Sequence, residues 1–242
     1  MGIVEVKTDK RSLNGTLYLV ATPIGNLEDI TYRAVRILAE VDLIAAEDTR
    51  KTKILLDRYN ISKPMVSYFS QNEVRRIPEL MSRLQQGESI ALVSDAGTPG
   101  ISDPAYRIVN EAIARDITVV PIPGAAALIP ALVISGLPTH AFVFEGFLPQ
   151  KKGRKTRILQ LKHERRTIVL YESPHRIVKT LRELHAALGN RYIVLVRELT
   201  KMYEEVLRGP IEDILNQIAH KPARGEYVIV ISGVEEETDH EL

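Results

Sequence analysis

The chain has 242 residues, 45% of them hydrophobic and 26% charged, with a formal net charge of +1 and no cysteine. This is enough chain for one large or two small domains with a sizeable core, and the composition excludes a disordered, collagen-like or low-complexity protein. It also excludes a disulfide framework, a thiolate zinc site, an iron–sulfur cluster and a cysteine nucleophile.

The first half reads as alternating strand and helix. Thr16–Ala21 is a short apolar strand. Tyr32–Glu40 has Ala34, Ile37, Leu38 and Val41 at helical spacing. Asp42–Glu47 is a strand, and the cap-type residues Asp48 and Thr49 precede a helix over Lys51–Tyr59. A short strand at Met65–Tyr68 leads to a polar helix, Glu73–Gln86, interrupted by Pro78 and ended by Gly87. A strand follows at Ser89–Ser94, then a helix over Asp103–Arg115 with Pro104 in its first turn, then a strand at Ile117–Pro121. Strands that are apolar throughout and alternate with helices predict a parallel sheet covered on both faces.

Pro121-Ile122-Pro123-Gly124 is a sharp break, and the domain boundary is expected near residue 122. The domains expected are 15–122 and 123–233, followed by an acidic tail, 234–242. Strands are predicted at Ala141–Phe147, Thr167–Tyr171, Tyr192–Glu198, Tyr203–Leu207 and Glu226–Ser232. Helices are predicted at Lys152–Leu161, Pro174–Leu188 and Pro210–Ala219. The short Arg197–Tyr203 connection joins two strands directly, which favours a mixed sheet with some antiparallel pairing. The longest apolar run, Ala125–Ile134, is ten residues and contains Pro130. A bilayer span needs about twenty, so no transmembrane helix is expected. Met1–Lys10 has no apolar segment of the signal-peptide kind, and a cytoplasmic location is expected.

Charge is unevenly spread. Residues 1–122 carry net −1, residues 123–233 net +7 and the last nine residues net −5. Lys151–Lys179 holds ten Lys and Arg against two Glu. Such a run is either a solvated helix face or a surface for phosphates.

Three glycine-containing loops leave strands of the first half: Ala21–Asn26, Ser94–Asp103 and Pro121–Ala126. In a parallel sheet they gather at the carboxyl ends of the strands, where ligands bind. Glycine and proline also simply punctuate turns. None of the loops has the dinucleotide pattern G-x-G-x-x-G or the P-loop pattern, so NAD, FAD and ATP chemistry lack their marks. The six histidines (140, 163, 175, 185, 220 and 240) have no metal-ligand spacing, so no metal is expected. No G-x-S-x-G elbow supports a serine hydrolase. Charged groups crowd the ends of strands at Glu47–Arg50, Tyr171–Arg176 and Arg197–Glu205. Helix capping and a local ion pair at Glu47–Arg50, a helix start at Tyr171–Arg176 and a solvated hairpin at Arg197–Glu205 are one reading; a site is the other, and at Tyr171–Arg176 the crowding exceeds what capping needs.

Together, T-L-Y-L-V-A-T-P-I-G-N-L-E-D-I-T (16–31), A-A-E-D-T-R (45–50), V-S-D-A-G-T-P-G-I-S-D-P (93–104), P-I-P-G-A-A-A (121–127), E-G-F-L-P (145–149), Y-E-S-P-H-R (171–176), R-E-L-T-K (197–201) and G-E-Y-V-I-V (225–230) closely resemble the RNA-modifying branch of the tetrapyrrole methylase superfamily. The porphyrin-methylating branch has a more glycine-rich first loop and a G-D-P motif, where this chain has Thr22–Asn26 and Gly97-Thr98-Pro99. The resemblance implies an α/β fold of two α/β domains, each on a mixed, roughly five-stranded sheet. S-adenosylmethionine would bind in the cleft between them, in a homodimer. The reaction it implies is 2′-O-methylation of a cytidine ribose in the decoding centre of small-subunit ribosomal RNA.

Carried over position by position, the resemblance puts Pro23, Thr98, Ile101, Ala126, Tyr171, Glu226 and Tyr227 against the cofactor. A ribose hydroxyl is a weak acid, so a base, or a cation at the developing oxyanion, would assist its attack on the methyl. Lys201 and Glu172 lead the candidates, with Glu198 and Arg197, and with Asp48 and Arg50 on another loop. RNA contacts are expected from Lys151, Lys152, Arg154, Lys155, Arg157 and Arg176, as well as Arg50. Phe147 or Tyr171 could stack a splayed base. The competing functions are a tetrapyrrole C-methyltransferase and a non-catalytic ribosome assembly factor.

Overall fold

The computed structural model describes residues 14–219 and 224–234. The stretch 1–10, the acids at 235–241, His220 and His240 lie outside the described residues. Contacts divide the chain into two units. One runs to Pro23 and over Leu27–Ala125; the other comprises Ile24–Asn26 and the chain from Ala126 onward. Among the described residues no helix is long and apolar enough to cross a membrane.

The first unit runs β1 (Thr16–Val20), α1 (Tyr32–Glu40), β2 (Leu43–Ala46), α2 (Thr49–Arg58), β3 (Met65–Ser67), α3 (Glu73–Gln85), β4 (Ile90–Val93), α4 (Tyr106–Ala114) and β5 (Thr118–Ile122). Its five strands lie in the order β3-β2-β4-β1-β5. Every pairing is parallel, where the family resemblance implied a mixed sheet. The apolar strands explain this: β2 and β4 are buried at every position, which requires helices on both faces. Leu17, Leu43, Ile90 and Leu92 meet Leu80, Met81 and Leu84 of α3 and Ile108 of α4 on one face. Val20, Ile44, Ala46 and Val93 meet Ile37 and Leu38 of α1 and Leu56 of α2 on the other.

Helix starts follow capping chemistry. Thr31 accepts the Ala34 N–H and Asp48 accepts the Arg50 N–H. Helix α4 begins three residues later than the Pro104 rule predicts. Ser102 is left-handed at φ 68°, and a residue before proline, here Asp103, is kept out of the helical region.

The second unit contains α5 (Leu128–Ser135), β6 (Phe142–Phe147), α6 (Arg154–Gln160), β7 (Thr167–Glu172), α7 (Ile177–Leu188), β8 (Tyr192–Arg197), β9 (Glu205–Pro210), α8 (Ile211–Ile218) and β10 (Tyr227–Ile231). The strand order is β6-β7-β10-β8-β9. Only β6–β7 is parallel, so this sheet is mixed, as expected. Helices α6, α7 and α8 cover one face through Ile158, Leu181, Leu184 and Ile214. Helix α5 packs on β7 and β10.

Helix α5 falls in the apolar run from Ala125, where no element is predicted. It is apolar on all sides, with Leu128, Ala131 and Leu132 buried and Ile129 and Val133 exposed. Strand β9 begins two residues later than predicted, because residues 198–204 form a loop held by the Thr200 N–H on Glu204 (2.7 Å).

Gly15 opens β1 and donates its N–H to the Leu84 carbonyl at 2.6 Å. A Cβ there would fall onto the backbone carbonyl of Glu88. Gly15→Ala should therefore cost about 1–3 kcal/mol of stability, read as a lower urea midpoint at unchanged slope.

Candidate active site

In the first unit the chain leaves β1 for β2 on one side of β4, and leaves β4 for β5 on the far side of β1. The β1/β4 edge is thus a topological switch point, where parallel α/β sheets bind ligands. The two loops leaving it are tied together. Thr22 and Gly97 exchange backbone hydrogen bonds of 2.9 Å in each direction, and the Thr22 hydroxyl donates to the Ser94 carbonyl at 3.1 Å. Gly97 supports this at φ 87°, a conformation costly for other residues. The Thr98 hydroxyl donates to the Ala125 carbonyl at 2.9 Å, joining the β4 loop to the β5 loop. Gly124 lets the β5 loop pass Ala21, where a Cβ would come within 2.8 Å of Ala21 Cβ.

Acids line the same edge. The Asp95 N–H donates to Glu47 at 3.1 Å, the Asp48 N–H donates to Asp95 Oδ1 at 3.0 Å, and Lys51 Nζ donates to Asp95 Oδ2 at 2.6 Å. Arg50 clamps Asp48 through Nε at 3.0 Å and Nη2 at 2.7 Å. These bonds hold the Asp48 carboxyl well below the usual range. Burial, and then the charge of Glu47, push Asp103 up to about 6 against an opposing hydrogen bond from Ser94.

In the second unit the ends of β8 and β10 and the loop after β8 form a compact charged knot. Lys201 Nζ lies 2.9 Å from Glu198 Oε1 and 2.9 Å from Glu226 Oε2. The Glu226 N–H donates to Glu198 Oε1 at 3.0 Å. Burial lowers Lys201, but the two carboxylates outweigh it and the net shift is upward. Burial likewise raises Glu198, and the Lys201 bond and the Glu226 N–H reverse it. Lys201 therefore stays an ammonium and Glu198 a carboxylate at neutral pH. Glu198 and Thr200 are left-handed at φ 50° and 67°, a strain of the kind that gathers at functional sites. Arg197 Nε and Thr200 Oγ1 are buried without a hydrogen-bond partner. Gly25 lies against this loop, and a Cβ there would collide with the Lys201 side chain.

Residues 16–215 match the family model of Tetrapyrrole (Corrin/Porphyrin) Methylases. The chain belongs to the tetrapyrrole methylase family. It is 49% identical over 233 residues to the Ribosomal RNA small subunit methyltransferase I of Halalkalibacterium halodurans, covering 96% of this chain and 81% of the relative. It is 46% identical over 221 residues to the protein of that name from Thermotoga maritima, covering 91% of this chain and all of the relative. Among solved structures it resembles the uroporphyrin-III C-methyl transferase of Thermus thermophilus complexed with S-adenyl homocysteine. That match has a TM-score of 0.63 at 18% identity, over 90% of this chain and 97% of the other.

Within this tetrapyrrole methylase several expected site residues take other roles. Glu172 is 2% exposed. Its carboxylate accepts from Arg176 at 2.7 Å, from the Ser173 N–H at 2.8 Å and from the Thr180 hydroxyl at 2.6 Å. It is a buried fastening of β7 to α7, with no path to a substrate hydroxyl. Arg154, expected on RNA, is buried as well; it donates to Thr180 at 2.6 Å and pairs with Glu183 at 2.6 Å. Arg176 is committed to Glu172, and Arg157 to Glu145 through bonds of 2.5 and 2.8 Å. Lys151, Lys152 and Lys155 are exposed, and no ion pair among the described residues engages them.

The two tyrosines expected on the cofactor face opposite ways. Tyr171 accepts the Leu128 N–H of α5 at 2.9 Å, whereas Tyr227 is 5% exposed in the core under α6–α8. Val228, not Tyr227, pairs with Tyr171 in the ladder, so strand alternation separates them. Thr180, Lys51 and Asp95 were not among the expected site residues. Only the placement of Asp95 in a glycine loop hinted at its role.

Asp103 binds its proton more tightly folded than unfolded, so its contribution to stability falls as pH rises from about 4 through about 6. Asp103→Asn should melt higher than the parent at pH 7.5, by about 1 kcal/mol after allowance for partial exposure, and match it near pH 4. Thermal melts across that range provide the check.

Proposed function

We propose that this chain is an S-adenosylmethionine-dependent ribosomal RNA methyltransferase, acting on the 2′-hydroxyl of a cytidine in the decoding centre of the small subunit. The observation that carries the reading is near-full-length identity of 46–49% to relatives named for methylation of small-subunit ribosomal RNA. The homodimer and the cytoplasmic location belong to the same proposal.

Within the first unit, Pro23 and the backbone of Thr98 and Ile101 lie on loops shaped by glycine and fit part of such a cofactor. Within the second unit, Ala126, Tyr171 and Glu226 keep the contacts that the family resemblance implies. The cofactor supplies a methyl group already activated on a sulfonium, so no covalent help from the protein is required. The protein's task is to hold the ribose oxygen in line and to exclude water. Lys201 enters this reaction as a cation: its two carboxylate partners keep it protonated, so it stabilises negative charge on the attacking oxygen and takes no proton from it; the hydroxyl proton is released to solvent as the oxygen–methyl bond forms and the methyl–sulfur bond breaks. Arg197, at the end of β8, pairs through Nη1 with Glu205 at 3.0 Å and leaves Nε without a partner. Glu172 leaves the list of catalytic groups.

RNA phosphates are assigned to the exposed Lys151 and Lys152 just before α6 and Lys155 within it, and to the exposed edges of Arg157 and Arg50. Phosphate contacts position RNA without reading its sequence. Replacing the three lysines by Gln should weaken binding to small-subunit RNA and lower the magnitude of the slope of log K against log salt by about two to three. Filter binding at four salt concentrations measures it.

The deciding experiment offers labelled S-adenosylmethionine and the purified protein to unmethylated small subunits, naked RNA and a tetrapyrrole acid in parallel. Label in 2′-O-methylcytidine is expected; label only in the tetrapyrrole overturns the reading. In single-turnover assays at saturating cofactor, Lys201→Ala should slow transfer about 10²-fold or more. An unchanged rate removes Lys201 from the chemistry.

A further inference from the structure

We infer that a cavity at the carboxyl edge of the first sheet receives the base of the target nucleotide, and that the Asp95–Lys51 pair reads the Watson–Crick edge of cytosine. The inference deepens the RNA-methylation reading and rests on it for the substrate.

The cavity has a volume of about 130 Å³ and lies among Thr22, Pro23, Leu27, Lys51, Ile54 and Asp95. Its lining comes from the loops after β1 and β4, the switch-point strands, and from the first turns of α2. The Thr98–Ala125 bond draws the far part of the β4 loop toward β5. The side facing α2 is thereby left for a second ligand group beside the cofactor contacts.

The lining is apolar on some sides and polar on another. Pro23, Leu27 and Ile54 form apolar sides. Leu27 and Ile54 remain 37% and 66% exposed, which a purely structural role does not require. The Tyr59 hydroxyl fixes this wall by donating to the Leu27 carbonyl at 2.7 Å. The polar end holds an acceptor and a donor side by side, Asp95 Oδ2 and Lys51 Nζ, 2.6 Å apart. Each oxygen of Asp95 has one donor, Lys51 or the Asp48 N–H, and keeps capacity for another.

A flat ring with a polar edge matches this arrangement. Cytosine presents an amino donor at N4 beside acceptors at N3 and O2. Carboxylates accept from cytosine N4, and an ammonium donates to the neighbouring acceptors. Uracil would turn its O4 lone pairs onto the Asp95 carboxylate. Bases in single-stranded RNA are read in this way, splayed out and bonded on their Watson–Crick edge.

Two measurements test the assignment. In the first, methyl transfer is compared between RNA carrying the target cytidine and RNA with uridine at that one position. The parent should prefer cytidine roughly tenfold or more. Asp95→Asn, whose amide can donate to uracil O4, should erase most of that preference, while calorimetry finds S-adenosylmethionine affinity unchanged. In the second, the parent protein is titrated with cytidine and uridine monophosphates while methyl resonances of Leu27, Ile54 and Leu55 are followed. Cytidine monophosphate should shift them and uridine monophosphate should not. If RNA is methylated but Asp95→Asn keeps the full preference, or the resonances answer both nucleotides, neither, or S-adenosylmethionine alone, the pocket assignment is wrong and the RNA reading survives. If no RNA is methylated but cytidine monophosphate binds selectively, the RNA reading falls and the pocket stands.

Discussion

The parallel pairing of β1 with β4 is the constraint on which the first unit depends. Parallel neighbours cannot be joined by a tight turn, so each connection crosses over through a helix and each loop after a strand emerges at the same edge. The helices reached from these two strands, α1 and α4, lie on opposite faces of the sheet, so their loops part to either side of it. The Thr22–Gly97 bridge and the Thr98–Ala125 bond then stiffen its rim. The acids Glu47, Asp95 and Asp103 are brought together there from two loops, the one after β2 and the one after β4. Their mutual repulsion and desolvation are borne by the fold, with Lys51 the counter-charge on Asp95.

A different device organises the second unit. Glu183, Arg154, Thr180, Glu172 and Arg176 form a continuous polar chain, much of it buried, that ties the end of β7 to α6 and α7. Each member satisfies its neighbour, so removing one would leave a buried charge uncompensated. This use of charge leaves Lys201, Glu198 and Glu226 as the group at the strand ends still open to solvent. Their loop is strained at two residues, and it is kept in place by the Glu226 N–H and by the glycine that lets residues 24–26 lie against it.

The limits of linear reading show at particular residues. Helix Tyr32–Glu40 is legible to the residue in its apolar spacing, and in the structure Thr31 caps it at that same start. Helix α5 was missed because an all-apolar segment has no period to read. Arg154 and Lys155 are adjacent and alike in charge, yet one is buried on Glu183 and Thr180 and the other faces water. Tyr171 and Tyr227 both sit at strand ends, and strand alternation sends them to opposite faces.

By itself the sequence determined the alternation of strand and helix, the doubly covered parallel sheet, the mixed second sheet, the glycine loops at strand ends and the family. These follow from local periodicity, turn chemistry and ordered motifs, all of which are written along the chain. Only the tertiary structure decided which charges are spent on one another and which remain available. Glu172 and Arg154 are consumed in a buried network, Lys201 is fixed as an ammonium, and Asp95 and Lys51 meet in the lining of a cavity. Those outcomes depend on distances between residues tens of positions apart in the chain, and charge and identity alone do not encode them.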